Sequence, residues 1–352
     1  MSVGDYRFIV AFLSAGKVLR EEPFEDFARA RHALEFEAAC GGADLSADPV
    51  RFRIEPDWSG DGPAVAGFNA VLDVDGRAFS RRFGKAYFRN FVARRLLKGD
   101  LRPPPEEGAG RKDEPAIDFA VNAYAPEARA RDDDGIVVVG SQRVPLSFAS
   151  IPCAPLLARA RAAGEAGLPF PVFFEQPVID EAQGRSRASP GAEVGGVLIG
   201  FASRDPDSGR PYVHVTAHID ARHTVSGQLH LRFTAETWSD ARLVMERRAL
   251  GERFVGFWHS HHPLPLTKCK LCDLPEQLEC GNNSVFFSVD DVDFFETVFD
   301  AAAFSIALVT GKNPRGQEKS GLFGWSDQGT VVERGYYVLE PEVQEAPHAE
   351  GK

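Results

Sequence analysis

Two histidines separated by one residue, His259 and His261, end a hydrophobic run that begins at Phe254. In a β-strand, side chains two apart share a face, so this pair can hold one metal ion while Ser260 turns away. A catalytic zinc needs a third protein ligand and keeps its fourth position open for water. The next candidate carboxylates lie in Ser288-Val289-Asp290-Asp291, where Ser288 stands at a helix N-cap position and either aspartate falls in the first turn. Upstream, Glu193 guards the entrance to an apolar run and is followed by Val194-Gly195-Gly196. A carboxylate there is costly unless it is used, and paired glycines permit close backbone approach. The placement makes sense if Glu193 faces a water on the metal.

Those residues need elements to position them. From Phe170 the pattern is a mixed sheet with two or three helices. Val172–Phe174, Val194–Ala202, Tyr212–Ile219, Phe254–His261 and Phe304–Thr310 read as strands, and Leu322–Leu339 as a final hairpin. Helices are expected over Pro177–Ala188, over Thr234–Leu250 with Thr234 as cap, and from Ser288 to about Ala302. The first 100 residues form a smaller α+β unit. Pro23–Cys40 and Lys85–Lys98 carry helical spacing, Val50, Phe52 and Ile54 alternate as a strand, and Asp75-Gly76 marks a hairpin turn. The Arg/Lys-rich helix after Lys85 reads as a solvated face. Residues 101–115, rich in Pro, Gly and mixed charge, read as a linker. A bridging segment follows over 116–168, with strands at Ile136–Val139 and Val144–Phe148 and a helix at Ala154–Ala163. Residues 341–352 form a polar tail.

Composition narrows the classes. A formal charge of −11 over 352 residues argues against a nucleic-acid binder, which would carry a basic patch. No apolar run approaches the roughly 20 residues needed to span a bilayer. The N-terminus, with Asp5 and Arg7 before a short apolar run, reads as a first strand rather than a signal peptide. A cytoplasmic protein is expected.

Glu193-x-Gly-Gly-x-Leu-x-Gly, then His259-Ser-His261, then Ser288-x-x-Asp291 together resemble the JAB/MPN metalloprotease family with its JAMM motif. That family's pattern is a glutamate, an H-[ST]-H-P segment and S-x-x-D. The resemblance covers 169–340 and includes the segment Phe323-Gly324-Trp325. It implies a cytidine-deaminase-like mixed sheet flanked by helices, with the α+β unit ahead of it. It also implies that His259, His261 and Asp291 bind catalytic zinc, that Glu193 is the general base, and that Ser288 hydrogen-bonds the oxyanion. The serine-to-aspartate spacing favours Asp291 over Asp290, whose other role is a charge favourable to the helix dipole.

Two departures from the family pattern stand out. His262 intervenes before Pro263, and positions 262 to 287 separate the second histidine from the serine. The inserted loop, 264–283, carries Cys269-x-x-Cys272 and Cys280. Three cysteines so close, in a chain with no export signal, favour a structural zinc with His262 or Asp273 as fourth ligand; the alternative is reduced thiols. Cys40 and Cys153 read as buried small hydrophobes, and His214, His218, His223 and His230 as surface histidines.

By resemblance the chain is a zinc metallopeptidase or isopeptidase cleaving after the C-terminus of a ubiquitin-like protein, which would be its partner. The alternatives are a hydrolase releasing an amino acid from a sulfur-carrier protein, and a non-catalytic MPN scaffold. Scaffolds of that kind normally lose the ligands retained here.

Overall fold

Alternating apolar positions in the second half of the chain, from Phe173 to Val338, can close only as a sheet covered on both faces. The computed structural model describes residues 6–46, 50–59, 62–97, 117–125, 148–163, 170–189, 192–226, 231–261, 285–299, 303–312 and 318–341. These fall into two compact units: Met1–Ser147 with Phe295–Ala303 and Ser326–Thr330, and Phe148–Phe294 with Phe304–Trp325 and Val331–Lys352.

The first unit is α+β. Strands β1 (Arg7–Ser14), β2 (Lys17–Phe24) and β6 (Ile117–Tyr124) form one antiparallel sheet in the order β2-β1-β6. Strands β3 (Arg51–Trp58), β4 (Val65–Val74) and β5 (Arg77–Gly84) form a second. The β4–β5 turn is Asp75-Gly76, both at positive φ, as a tight hairpin requires. Helix α1 (Ala28–Cys40) starts later than its sequence pattern suggests, because Lys17–Phe24 is claimed by pairing with β1. A 3₁₀ turn at Lys85–Phe88 leads into α2 (Arg89–Leu97). The core is an aromatic cluster around Phe8, Phe24, Phe27, Phe68 and Tyr87. The basic residues of α2 are not simply solvated: Arg95 pairs with buried Glu22 at 2.8 Å, and Arg94 pairs with buried Glu296. Glu296 also meets Arg29 Nη1 and Asn90 Nδ2, each at 2.7 Å.

The second unit holds the candidate site. Its strands are β7 (Ala149–Ser150), β8 (Ala160–Ala163), β9 (Val172–Glu175), β10 (Gly195–Arg204), β11 (Pro211–Asp220), β14 (Arg253–Ser260), β15 (Ile306–Lys312), β16 (Glu318–Trp325), β17 (Val331–Arg334) and β18 (Tyr336–Leu339). A separate hairpin pairs β12 (Thr224–Ser226) with β13 (Leu231–Phe233). The main path runs β17-β16-β15-β14-β10-β11-β9-β18-β8, with β7 pairing to β10. β14 lies parallel to β15 and antiparallel to β10, which makes the sheet mixed.

Helices cover both faces. On one face, α4 (Gln176–Ala188) buries Val178, Ile179 and Ala182, and Gln183 donates to Ser320 Oγ at 3.1 Å. On the other, α5 (Ala235–Arg248) packs Ala241 against Val197 and Ile199, and α6 (Val289–Phe299) sets Phe294 against Phe257 at 5.0 Å.

Two expectations are corrected. Ala154–Ala163 is not one helix: α3 (Ala154–Arg159) stops and Ala160–Ala163 pairs with β18, so tertiary pairing overrides the helical composition. The terminal segment is not a simple hairpin either, because β18 leaves β17 to run parallel to β9. The linker at 101–115, the strand at Ile136–Val139, the cysteine insertion at 264–283 and most of the tail lie outside the described residues.

Glycines set how tightly the centre of this sheet packs. A Cβ on Gly256 would stand 1.8 Å from the Ile306 carbonyl oxygen, and one on Gly196 2.6 Å from Trp258 Nε1. Gly256→Ala should therefore destabilise the protein by about 3 kcal/mol or more, at the top of the overpacking range. Urea unfolding would show this; an unchanged midpoint would refute the close approach of β14 to β15.

Candidate metal centre

The site is built at the end of β14. Strand register places Gly195 opposite His259. The chain then continues the pairing past the formal end of β10: Ser260 N–H donates to the Val194 carbonyl at 2.8 Å, and Val194 N–H donates to Ser260 Oγ at 3.0 Å. That register sets Glu193 beside His261, on the face that also carries His259. Ser260 is indeed turned away, and its hydroxyl holds the neighbouring strand. On the far side, His261 N–H donates to the Thr310 carbonyl at 2.8 Å, so the segment is fixed from both flanks.

The carboxylate arrives on α6. Asp291 N–H donates to Ser288 Oγ at 3.1 Å while Ser288 N–H donates to Asp291 Oδ2 at 2.7 Å. This reciprocal pair is a capping box, with aspartate in the place usually held by glutamate. It holds the Asp291 side chain back over the helix start, where it reaches the histidines. Asp290 is exposed and belongs to no metal-binding group among the described residues.

Three donor side chains converge. His259 Nε2 and His261 Nε2 are 2.9 Å apart, Asp291 Oδ1 is 3.1 Å from the first, and Oδ2 is 3.4 Å from the second. Ligands at about 2.0–2.1 Å from a tetrahedral zinc stand roughly 3.3 Å apart, so these spacings suit one ion bound by three protein groups. Both imidazoles are buried, and the carboxylate is nearly so. Two imidazoles and one carboxylate suit zinc and also ferrous iron.

The two carboxylates here are driven in opposite directions. Burial pushes Glu193 up to about 7, against the attraction of His261 and with the repulsion of Asp291. Burial alone would also raise Asp291, but the charge and hydrogen bonds of His259 and His261 hold it well below the ordinary carboxylate range. Asp291 is thus suited to coordinate and Glu193 to exchange a proton near neutrality.

Phenylalanines wall the site. Phe257 stacks on His259 and Phe286 covers His261, while Phe287 lies between His259 and Phe323. Sequence reasoning passed over Phe286 and Phe287. The available signal was an aromatic pair directly preceding the capping Ser288. Two other expectations change. His218 is buried on the α4 face, where its Nδ1 accepts from Trp258 Nε1 at 3.2 Å, and burial lowers its pKa. Cys40 and Cys153 are only half-buried. His262, Cys269, Cys272 and Cys280 lie outside the described residues.

Comparison with known proteins leaves the reading to these residues. No protein-family model matches the chain, and no curated protein matches it. Among solved structures it is similar to a protein from Desulfitobacterium hafniense known in solution, at 17% identity and a TM-score of 0.32, over 48% of this chain and 94% of that one. A TM-score that low carries no weight for fold or function.

The raised Glu193 gives a test in metal-free protein. The folded state keeps this proton at pH values where the unfolded chain has lost it. Stability is therefore highest below about 4.5 and falls as pH rises toward about 7. Glu193→Gln removes that loss, so its stability advantage over wild type should grow across this window to on the order of 3 kcal/mol. Denaturant unfolding at pH 4.5 and 8 measures it, and a constant difference between the two proteins would contradict the assigned burial.

Proposed function

We infer that this chain is a zinc-dependent peptidase or isopeptidase of the JAB/MPN type, cleaving after the C-terminus of a ubiquitin-like protein. One observation supports this most: His259, His261 and Asp291 converge on a single point with Glu193 alongside. A metal-binding triad alone fits several chemistries. A buried carboxylate poised near neutrality on the same face fits hydrolysis. The substrate class rests on the resemblance of the Glu193, His259-x-His261 and Ser288-x-x-Asp291 segments to the JAMM pattern.

When bound, zinc supplies Lewis acidity, polarising the scissile carbonyl and lowering the pKa of water to about 7. The protein's own groups do the rest. Glu193 accepts a proton from the attacking water as its oxygen bonds to the carbonyl carbon. It returns that proton to the leaving amine as the C–N bond breaks, so it ends the cycle ionised. Ser288 Oγ accepts from Asp291 N–H, which leaves its own proton free to donate to the oxyanion. The surrounding phenylalanines keep the site poor in water and strengthen each of these interactions.

No helix among the described residues is long and apolar enough to cross a membrane.

Zinc-loaded protein should cleave a ubiquitin-like fusion, and chelation should abolish the reaction. Glu193→Gln should lower turnover by about 10²–10⁴-fold, and Ser288→Ala by about 10²–10³-fold. Activity should rise with pH as Glu193 ionises, with a midpoint at or below about 7 because a bound cation favours the carboxylate. Stoichiometric zinc without chelator-sensitive cleavage would sink the peptidase reading.

A further inference from the structure

A metal-ligating histidine ordinarily donates its second ring N–H to a carboxylate, a carbonyl or a water. That bond fixes the ring plane and raises the basicity of the ligand. Here His259 and His261 direct Nε2 toward Asp291, which leaves Nδ1 as the second nitrogen. Both Nδ1 atoms are buried, and neither has a hydrogen-bond partner among the described residues. The torsion that turns an imidazole about its Cβ–Cγ bond is broad and roughly two-fold. Among the described residues no acceptor at Nδ1 stops either ring from swinging its Nε2 away from the carboxylate.

Each imidazole instead lies against a phenylalanine. Phe257, two residues earlier on β14, is nearly parallel to His259, with centroids 5.5 Å apart and 15° between planes. It also packs in the core against Phe233 at 6.2 Å and Phe294 at 5.0 Å, so it has a structural duty besides. Phe286 is different. It is half-buried, and its ring covers His261 at 4.4 Å with 41° between planes. The two imidazoles face each other edge-on at 4.6 Å and 71°. His261 therefore has both the His259 ring and Phe286 in contact with its imidazole.

We propose that Phe286 is a positioning residue for the metal centre. It holds the plane of the His261 imidazole by ring contact, at a ring whose Nδ1 has no hydrogen-bond partner among the described residues. The proposal rests on the metal-binding part of the functional reading and needs no peptidase activity. It makes the binding-competent geometry of His261 depend on an aromatic ring at position 286, two residues ahead of the capping Ser288.

The test compares full-length wild type, Phe286→Leu and Phe286→Tyr. Each is stripped with a chelator and reloaded with zinc, and affinity is read by competition with a chromophoric chelator. Cobalt substitution reports the coordination geometry. Thermal unfolding of the metal-free forms reports folding. Phe286→Leu keeps an apolar side chain but loses the ring, and should weaken zinc about tenfold or more, the range typical of lost outer-shell support. It should also alter the cobalt spectrum. Phe286→Tyr keeps the ring and should hold zinc within about threefold of wild type. Equal zinc affinity in wild type and Phe286→Leu would overturn the proposal while leaving the metal centre intact. Equal loss in the leucine and tyrosine variants would also overturn it. A wild type that binds no stoichiometric zinc would overturn both the proposal and the metal centre. Zinc binding with the expected variant pattern but no hydrolysis would support the proposal and remove only the peptidase reading.

Discussion

The site depends first on how β10 and β14 pair. With Gly195 opposite His259, continuation of the pairing brings Glu193 beside His261, and a shift by one residue would send every side chain to the other face. Glycine lets the flanking strands close on this pair, β11 on β10 at Gly196 and β15 on β14 at Gly256. The backbones around Gly196 and Gly256 approach closely enough that a methyl group would meet a carbonyl oxygen at 2.4 Å in one case and 1.8 Å in the other. The apolar strands supply the burial free energy, and the glycines permit the close packing of the neighbouring strands around the pair that carries the site.

A second constraint is the start of α6. Four residues, Ser288 to Asp291, satisfy two orphan N–H groups and aim one carboxylate. Helix capping by the serine is compatible with the oxyanion contact proposed for it. A hydroxyl that accepts one bond still has a proton to donate. The same economy is visible at Ser260, whose side chain knits Val194 to β14 while its histidine neighbours face the other way.

Electrostatics then separates two acids that are chemically similar. Glu193 has burial without adequate compensation, whereas Asp291 has burial offset by two imidazoles and a backbone N–H. Environment thus suits one to exchange a proton near neutrality and the other to bind a cation. Burial raises Glu193, and phenylalanines pack around the neighbouring histidines. Two of them lie against the imidazole rings, whose Nδ1 atoms have no hydrogen-bond partner among the described residues.

Much of the chemistry was legible along the chain. His259 and His261 share a face because strand periodicity is two, and Ser288-x-x-Asp291 is a local helix signal; both follow from short-range geometry. Central strands such as Val194–Ala202 and Phe254–His261 were legible for the same reason, since a buried run has few alternatives. What the tertiary structure decided is everything carried by distant pairing. It turned Ala160–Ala163 into an edge strand, sent β18 to β9, and buried His218 against Trp258. It placed Phe286 over His261 and brought Asp291, the aspartate that the spacing from Ser288 favours, to the two histidines. Local sequence encodes which face a side chain takes within its own element. Which faces meet depends on contacts between residues far apart in the chain, and no local pattern records them.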